Sequence, residues 1–202
     1  MSSKMLVAPC SHAAAKYAVE TWYYTATMPK GKLIKHGVWE NDKFVGVIIY
    51  GRGATQQLGQ PYGLTMMETC EMVRMSMDVH ETPTSRILGI SLKILKRENP
   101  GLRLVVSFAD GSAGHSGTVY KASNWVYLGL TTAATLFLVE GEWVHGRECS
   151  HYVKRTGVNR STLEHKKTEP KHRFVFPLDE AMRSQVELLR VGSTTQCAAL
   201  PR

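Results

Sequence analysis

The chain has 202 residues, 43% hydrophobic and 21% charged, the balance of a soluble folded protein long enough to build its own core. Its 25 Lys and Arg against 17 Asp and Glu give a net charge of +8, which favours a polyanionic partner, with a surplus kept only for solubility as the alternative. No apolar run is long enough to cross a bilayer and the N-terminus lacks a signal peptide's apolar segment, so no membrane partner is expected, the setting is cytoplasmic, and Cys10, Cys70, Cys149 and Cys197 are read as reduced thiols.

Ser11-His12 followed by AAAKYAVETW predicts an N-capped helix, and TATMPKGK a loop after it. KLIKHGVWE and KFVGVIIYG flank Asn41-Asp42 and form a β-hairpin; GRGATQQLGQPYG has the composition of an exposed loop. TCEMVRMSMDV reads as a strand, with Glu71 and Arg74 on opposite faces because their separation is odd. One of that pair is expected in a polar cleft, unless both lie on the solvent face of an edge strand. SRILGISLKILKRENPG carries apolar residues at helical spacing and stops at Asn99-Pro100. Next come a buried strand from Leu102 to Phe108, a Gly-rich turn opening at Asp110, a short helix with Tyr120 and a strand starting near Trp125. TLFLVEGEWVHG forms a closing hairpin, residues 146–173 a basic surface arm, and residues 178–190 a C-terminal helix. The sum is a single α/β domain over residues 1–202 with a mixed central sheet flanked by helices.

Asp110, ending a strand, is the candidate base, with a turn aspartate as the plain reading. Tyr120, ten residues on, can donate a proton to a departing anion, or simply pack on the sheet. His115 in the glycine-rich turn is a lesser candidate. Between strand and helix, HETPTSR offers free helix N–H groups with Thr82, Thr84, Ser85 and Arg86 to a phosphate; capping by Thr84 or Ser85 is the alternative. Trp22, Tyr23, Tyr24, Trp125 and Tyr127 include candidate stacking surfaces for an extruded base, most aromatics being core. The basic residues Lys154, Arg155, Arg160, Lys166, Lys167, Lys171, His172 and Arg173 are the expected phosphate contacts of the arm, a solvated loop being the alternative. The histidines are too dispersed for a metal site, and Cys149 with His151 does not make one.

Taken together, VWENDKFVGVIIYGRGA, CEMVRMSM, HETPTSRILGISLKIL, NPGLRLVVSFAD, GHSGTVYKASNWVYLG and KHRFVFPLDEAMR resemble the Mom family of phage DNA adenine-modification proteins, from Cys10 to about Arg183. The resemblance implies an acetyltransferase-like (GNAT) fold and transfer of a carbamoylmethyl group to adenine's exocyclic amine in double-stranded phage DNA, protecting it from restriction in the host cytoplasm. It implies acetyl-CoA or a related small donor, with pyrophosphate at Thr84, Ser85 and Arg86 and the pantetheine arm along CEMVRMSM at Val73 and Met75. Arg74, Asp110, Tyr120 and Tyr24 take over the family's catalytic positions, with Tyr23, Trp125, Lys166, Lys167, Lys171 and Arg173 toward DNA. Tyr23 departs from the pattern, which carries His there, whereas His12 and His115 match it. A redox metal is conceivable but not assigned, and a homodimer is left open. Two rivals stand beside this reading: an acetyltransferase of the same fold acting on a protein or small-molecule amine, and a non-catalytic protein that occludes restriction sites.

Overall fold

In the computed structural model, which describes residues 4–197 apart from positions 54, 56, 115 and 116, the chain begins with a strand that its sequence does not announce. This β1 (Met5–Pro9) pairs antiparallel with β2 (Ile34–Glu40), closing that edge of the sheet. The helix α1 (His12–Trp22) starts where Ser11 accepts a hydrogen bond from the Ala14 amide, as an N-cap serine should. The hairpin of β2 and β3 (Lys43–Gly51) turns at Asn41 and Asp42, both left-handed at φ 51° and 64°, a conformation that short polar side chains tolerate. Then follow β4 (Thr69–Met77), α2 (Thr84–Glu98), β5 (Leu104–Ala109), α3 (Thr118–Ala122) and β6 (Val126–Leu130).

The region expected to be a basic arm is instead folded. After the hairpin β7 (Thr135–Val139) and β8 (Glu142–His145), the chain forms α4 (Gly146–Thr156) and β9 (His165–Lys167), and β9 pairs with β7 in a small second sheet. Cys149, Tyr152 and Val153, at positions i, i+3 and i+4 of α4, pack with Phe137, Val139 and Val144. The chain then re-enters the main sheet as β10 (His172–Pro177), whose aromatic and β-branched HRFVFP sits between β5 and β6. The final helix α5 runs Glu180–Cys197, longer than the expected 178–190.

The main sheet has the order β1-β2-β3-β4-β5-β10-β6, antiparallel except at β4 and β5. On one face Ala15, Ala18 and Val19 of α1 cover Val47 and Ile49, and Met182 and Val186 of α5 cover Leu104, Val106 and Val175. On the other, Ile87, Leu88, Leu92 and Leu95 of α2 cover Ile48, Tyr50, Met72 and Val105. Inside that second layer His36 Nδ1 and the Tyr50 hydroxyl both meet the Ser91 hydroxyl at 2.8 Å, while His36 Nε2 is buried without a hydrogen-bond partner.

Candidate active site

Two local irregularities open the sheet at its centre. The parallel ladder between β4 and β5 holds only from Thr69↔Leu104 to Glu71↔Val106, although β4 runs on to Met77 and β5 to Ala109. Past that point the strands diverge. The second irregularity is a bulge: Ile49 pairs with Arg74 but Tyr50 pairs with Met72, so Val73 is left out of the register. Ile49 and Gly51 lie on one face of β3, hence their partners Arg74 and Glu71 share a face as well. The odd-separation expectation that set those two charges on opposite faces fails because the bulge adds a residue between them. The half-buried Glu71 and Arg74 line a common cavity.

The split between the strands is a cavity of about 310 Å³. Its lining brings together Tyr23, Tyr24, Val73, Arg74, Met75, Asp110 and Tyr120, seven of the residues singled out from the sequence. Asp110 follows the end of β5 and caps the turn after it, accepting from the Ser112 amide and hydroxyl, while Lys171 pairs with it at 2.9 Å. The Ser112 hydrogen bond above all, with Lys171 assisting it against the opposing effect of burial, holds its carboxyl below the usual aspartate range. It is therefore ionised at neutral pH.

Tyr120 is almost buried, stacked on Phe174 at 4.8 Å and edge-on to Trp125 at 5.1 Å. Its hydroxyl lies 2.9 Å from that of Ser107, which donates to the Met72 carbonyl at 3.1 Å. With the serine proton so engaged, the phenol donates to Ser107, and burial pushes its pKa up, so Tyr120 stays protonated. This chain of Tyr120, Ser107 and Met72 ties α3 and β5 to β4 at the mouth of the split. Ser107 was not among the expected residues, though a lone hydroxyl in the apolar run LVVSFA asks for a buried partner.

Gly117 explains how α3 comes so close. It adopts φ +74°, and a Cβ there would lie 2.2 Å from Phe174 Cζ, so only glycine lets the helix start pack on the ring beneath Tyr120. Opposite, Tyr23 and Tyr24 pack ring on ring at 4.6 Å, and the Arg74 guanidinium lies 4.9 Å from the Tyr23 ring centre. Arg74 also donates to the carbonyls of Val73 (2.7 Å) and Thr27 (3.4 Å), which fixes its head at the cavity wall. Tyr24 keeps about half of its surface exposed, while burial of Tyr23 raises its phenol pKa.

Other expectations are corrected. Trp125 is 6% exposed and packs against Tyr120 and Phe176 in the core, so it supports the site's tyrosine and offers no face to a base. Lys171 is engaged by Asp110, and Arg173 lies half-buried within β10 rather than on an arm. Lys166 and Lys167 remain exposed on β9, Lys166 Nζ 4.0 Å from the Trp143 ring centre and Lys167 donating to Thr135. At the start of α2 the expected anion cradle is partly filled from within: the Glu40 carboxylate accepts from the amides of Glu81 (2.7 Å) and Thr82 (2.8 Å) and from the Thr82 hydroxyl. Thr84 meets His80 Nε2 at 3.0 Å, and neither Thr84 nor Ser85 caps the helix. Ser85 and Arg86 line a different cavity of about 840 Å³ with Lys93, Lys96 and Arg183. His115 lies outside the described residues and His12 is exposed at the start of α1. Among the described residues no three His, Cys, Asp or Glu side chains group as a metal would need, and no helix is long and apolar enough to cross a membrane.

Comparison with known proteins bears on the fold and the family. The fold is similar to that of the aminoglycoside acetyltransferase AAC(6')-Ib solved with coenzyme A and kanamycin (TM-score 0.53, 10% identity, covering 93% of this chain and 99% of that one). It is also similar to FeeM, an N-acyl amino acid synthase from uncultured soil microbes (TM-score 0.52, 12% identity, covering 92% and 95%). Likeness at such identities speaks for the fold alone, which is the acetyltransferase-like (GNAT) mixed sheet flanked by helices. In sequence the chain is 28% identical over 151 residues to the methylcarbamoylase Mom of Escherichia phage Mu, a match spanning 71% of this chain and 61% of that protein's length. The Mom protein family matches residues 4–193, nearly from end to end. The chain belongs to the Mom protein family.

Proposed function

We propose that this protein is a DNA-modifying transferase that places a carbamoylmethyl group on the exocyclic amine of adenine in double-stranded DNA, acting in the cytoplasm of the phage's host and shielding the DNA from restriction. What supports this most is the convergence of Asp110, Tyr120, Arg74 and the Tyr23–Tyr24 pair on one cavity, in a chain whose relative is a methylcarbamoylase.

Adenine's amine is a poor nucleophile because its lone pair is delocalised into the ring, so its proton must leave as the new bond forms. Once bonded, that nitrogen is strongly acidic, and even the depressed carboxylate of Asp110 is basic enough to accept the proton. The phenol of Tyr120, kept protonated by burial, turns its one proton from Ser107 to the leaving group, and Arg74 offsets negative charge developing there. A paired base is out of reach inside a duplex, so the adenine is flipped against Tyr23 or Tyr24.

A small donor that already carries the carboxamide, with its leaving group on the methylene, fits the split, where the bulge frees backbone at Val73 for an extended arm beside Met75. Its anionic end would meet Ser85, Arg86 and Lys93 rather than the amides of Glu81 and Thr82, which Glu40 already holds. The acetamido product is bonded through a methylene, so the carbon attacked is not an acetyl carbonyl. Mass spectrometry of nucleosides from DNA co-expressed with this chain tests the reading. It predicts an adenine nucleoside heavier by an acetamido group in place of hydrogen; unmodified adenine, or acetyl-adenine alone, would contradict it.

A further inference from the structure

Beside the split, on the α1 face of the sheet, lies a second cavity of about 630 Å³ that no sequence motif foreshadowed. Its walls come from the loop after α1 (Lys30, Lys32), the end of β3 (Arg52), the bulged part of β4 (Arg74) and the first turn of α4 (Arg147). These five cations face a single lining carboxylate, Glu71. Among the described residues no ion pair takes Lys30, Lys32, Arg52 or Arg74. Arg52 instead points a guanidinium nitrogen at the Met67 sulfur, and Arg74 donates to backbone carbonyls. Like charges gathered in one concavity repel, and an anion entering between them relieves that repulsion.

Position indicates which anion. The cavity shares Val73 and Arg74 with the split, so it adjoins the place assigned to the flipped base. Lys30 and Lys32 follow closely on Tyr23 and Tyr24 in the chain, so one loop carries both the stacking rings and the ammonium groups. The cations suited to a donor's anionic end, Arg86 and Lys93, lie elsewhere, on α2 across the sheet. Resting on the function proposed above, we infer that the cavity of Lys30, Lys32, Arg52 and Arg147 seats the phosphodiesters beside the extruded adenine. The modified strand then runs between the 29–33 loop and α4, and its base turns past Arg74 into the split.

The test is binding of a random-sequence duplex by the full chain as salt is varied. A triple variant, Lys30→Gln, Lys32→Gln and Arg52→Gln, changes exposed side chains only. It should weaken binding by an order of magnitude or more and lower the slope of log Kd on log salt by about 0.9 for each phosphate no longer neutralised. Lys93→Gln with Lys96→Gln, in the other basic cavity, should leave both quantities unchanged. Should the triple variant fail to fold, single Lys32→Gln and Arg52→Gln variants give the same comparison with a slope change of about one each. Unaltered affinity and slope in a folded variant overturn the assignment, even if the wild-type chain modifies adenine. A wild-type chain that leaves adenine unmodified defeats the underlying function instead, so the two failures are told apart.

Discussion

Asp110 is ionised by its surroundings rather than readied by them. Most bases recruited for catalysis at neutral pH have raised pKa values, yet here the Ser112 hydrogen bond and the Lys171 ammonium pull the other way. That suits a proton that becomes acidic only as the bond forms, and it makes a sign-definite prediction. The acid limb of kcat/KM, where Asp110 takes up a proton, should fall below the ordinary aspartate value of about 3.9. Lys171→Ala removes a lowering influence, so the carboxyl pKa rises and the limb moves to higher pH; a limb that stays put would take the base role from Asp110. The ion pair itself, with Lys171 nearly half exposed, contributes at most about 1 kcal/mol to stability. Asp110 and Tyr120 were legible in the sequence because a carboxylate ending a strand and a phenol after a glycine-rich turn are local patterns. Ser107 was missed, and Trp125 misassigned, because burial decides the role of each and burial is set by chain segments far away. Trp125 faces inward against Tyr120 of α3 and Phe176, which β10 brings to it from far along the chain.

At the scale of elements, local signals were legible where they were self-contained. The helix capped at Ser11, the Asn41-Asp42 hairpin and the apolar spacing of α2 each carry their own turn chemistry or period. The errors came where polar residues mask a short element. In GRECSHYVKRT the i, i+3, i+4 apolar positions are outnumbered by charge, and HRFVFP follows a basic run that reads as loop. A bulge is likewise invisible to alternation counting, which is why Glu71 and Arg74 were set on opposite faces. Gly117 tests the closest approach between elements. Gly117→Ala asks for a Cβ inside the Phe174 ring's space at a positive φ, and should destabilise the fold by about 1–3 kcal/mol. The variant should also lose activity through displacement of Tyr120, readable as a lower Tm and a lower kcat together. An unchanged Tm would mean α3 is not held against Phe174.

Over the whole molecule, basic character gathers in two cavities and on the small second sheet, and the sheet's split adjoins one of those cavities at Val73 and Arg74. The net charge of +8 favours a polyanion but could not say which cations would meet one, because segments distant in sequence form each basic cavity. Lys166 and Lys167 on β9 extend the basic surface beyond the site. Lys166→Gln with Lys167→Gln should weaken binding to all sequences alike and lower the salt slope by about one for each phosphate released, without altering which nucleoside is formed. An unchanged slope would remove β9 from the interface. The split is the place proposed for removal of adenine's proton, and one comparison reaches that point directly. Mass spectrometry of nucleosides from DNA co-expressed with wild type and with Asp110→Asn, alongside duplex affinity for both proteins, should show acetamido-adenine in the first, none in the second and near-equal binding. Full modification by the Asp110→Asn protein would contradict the account.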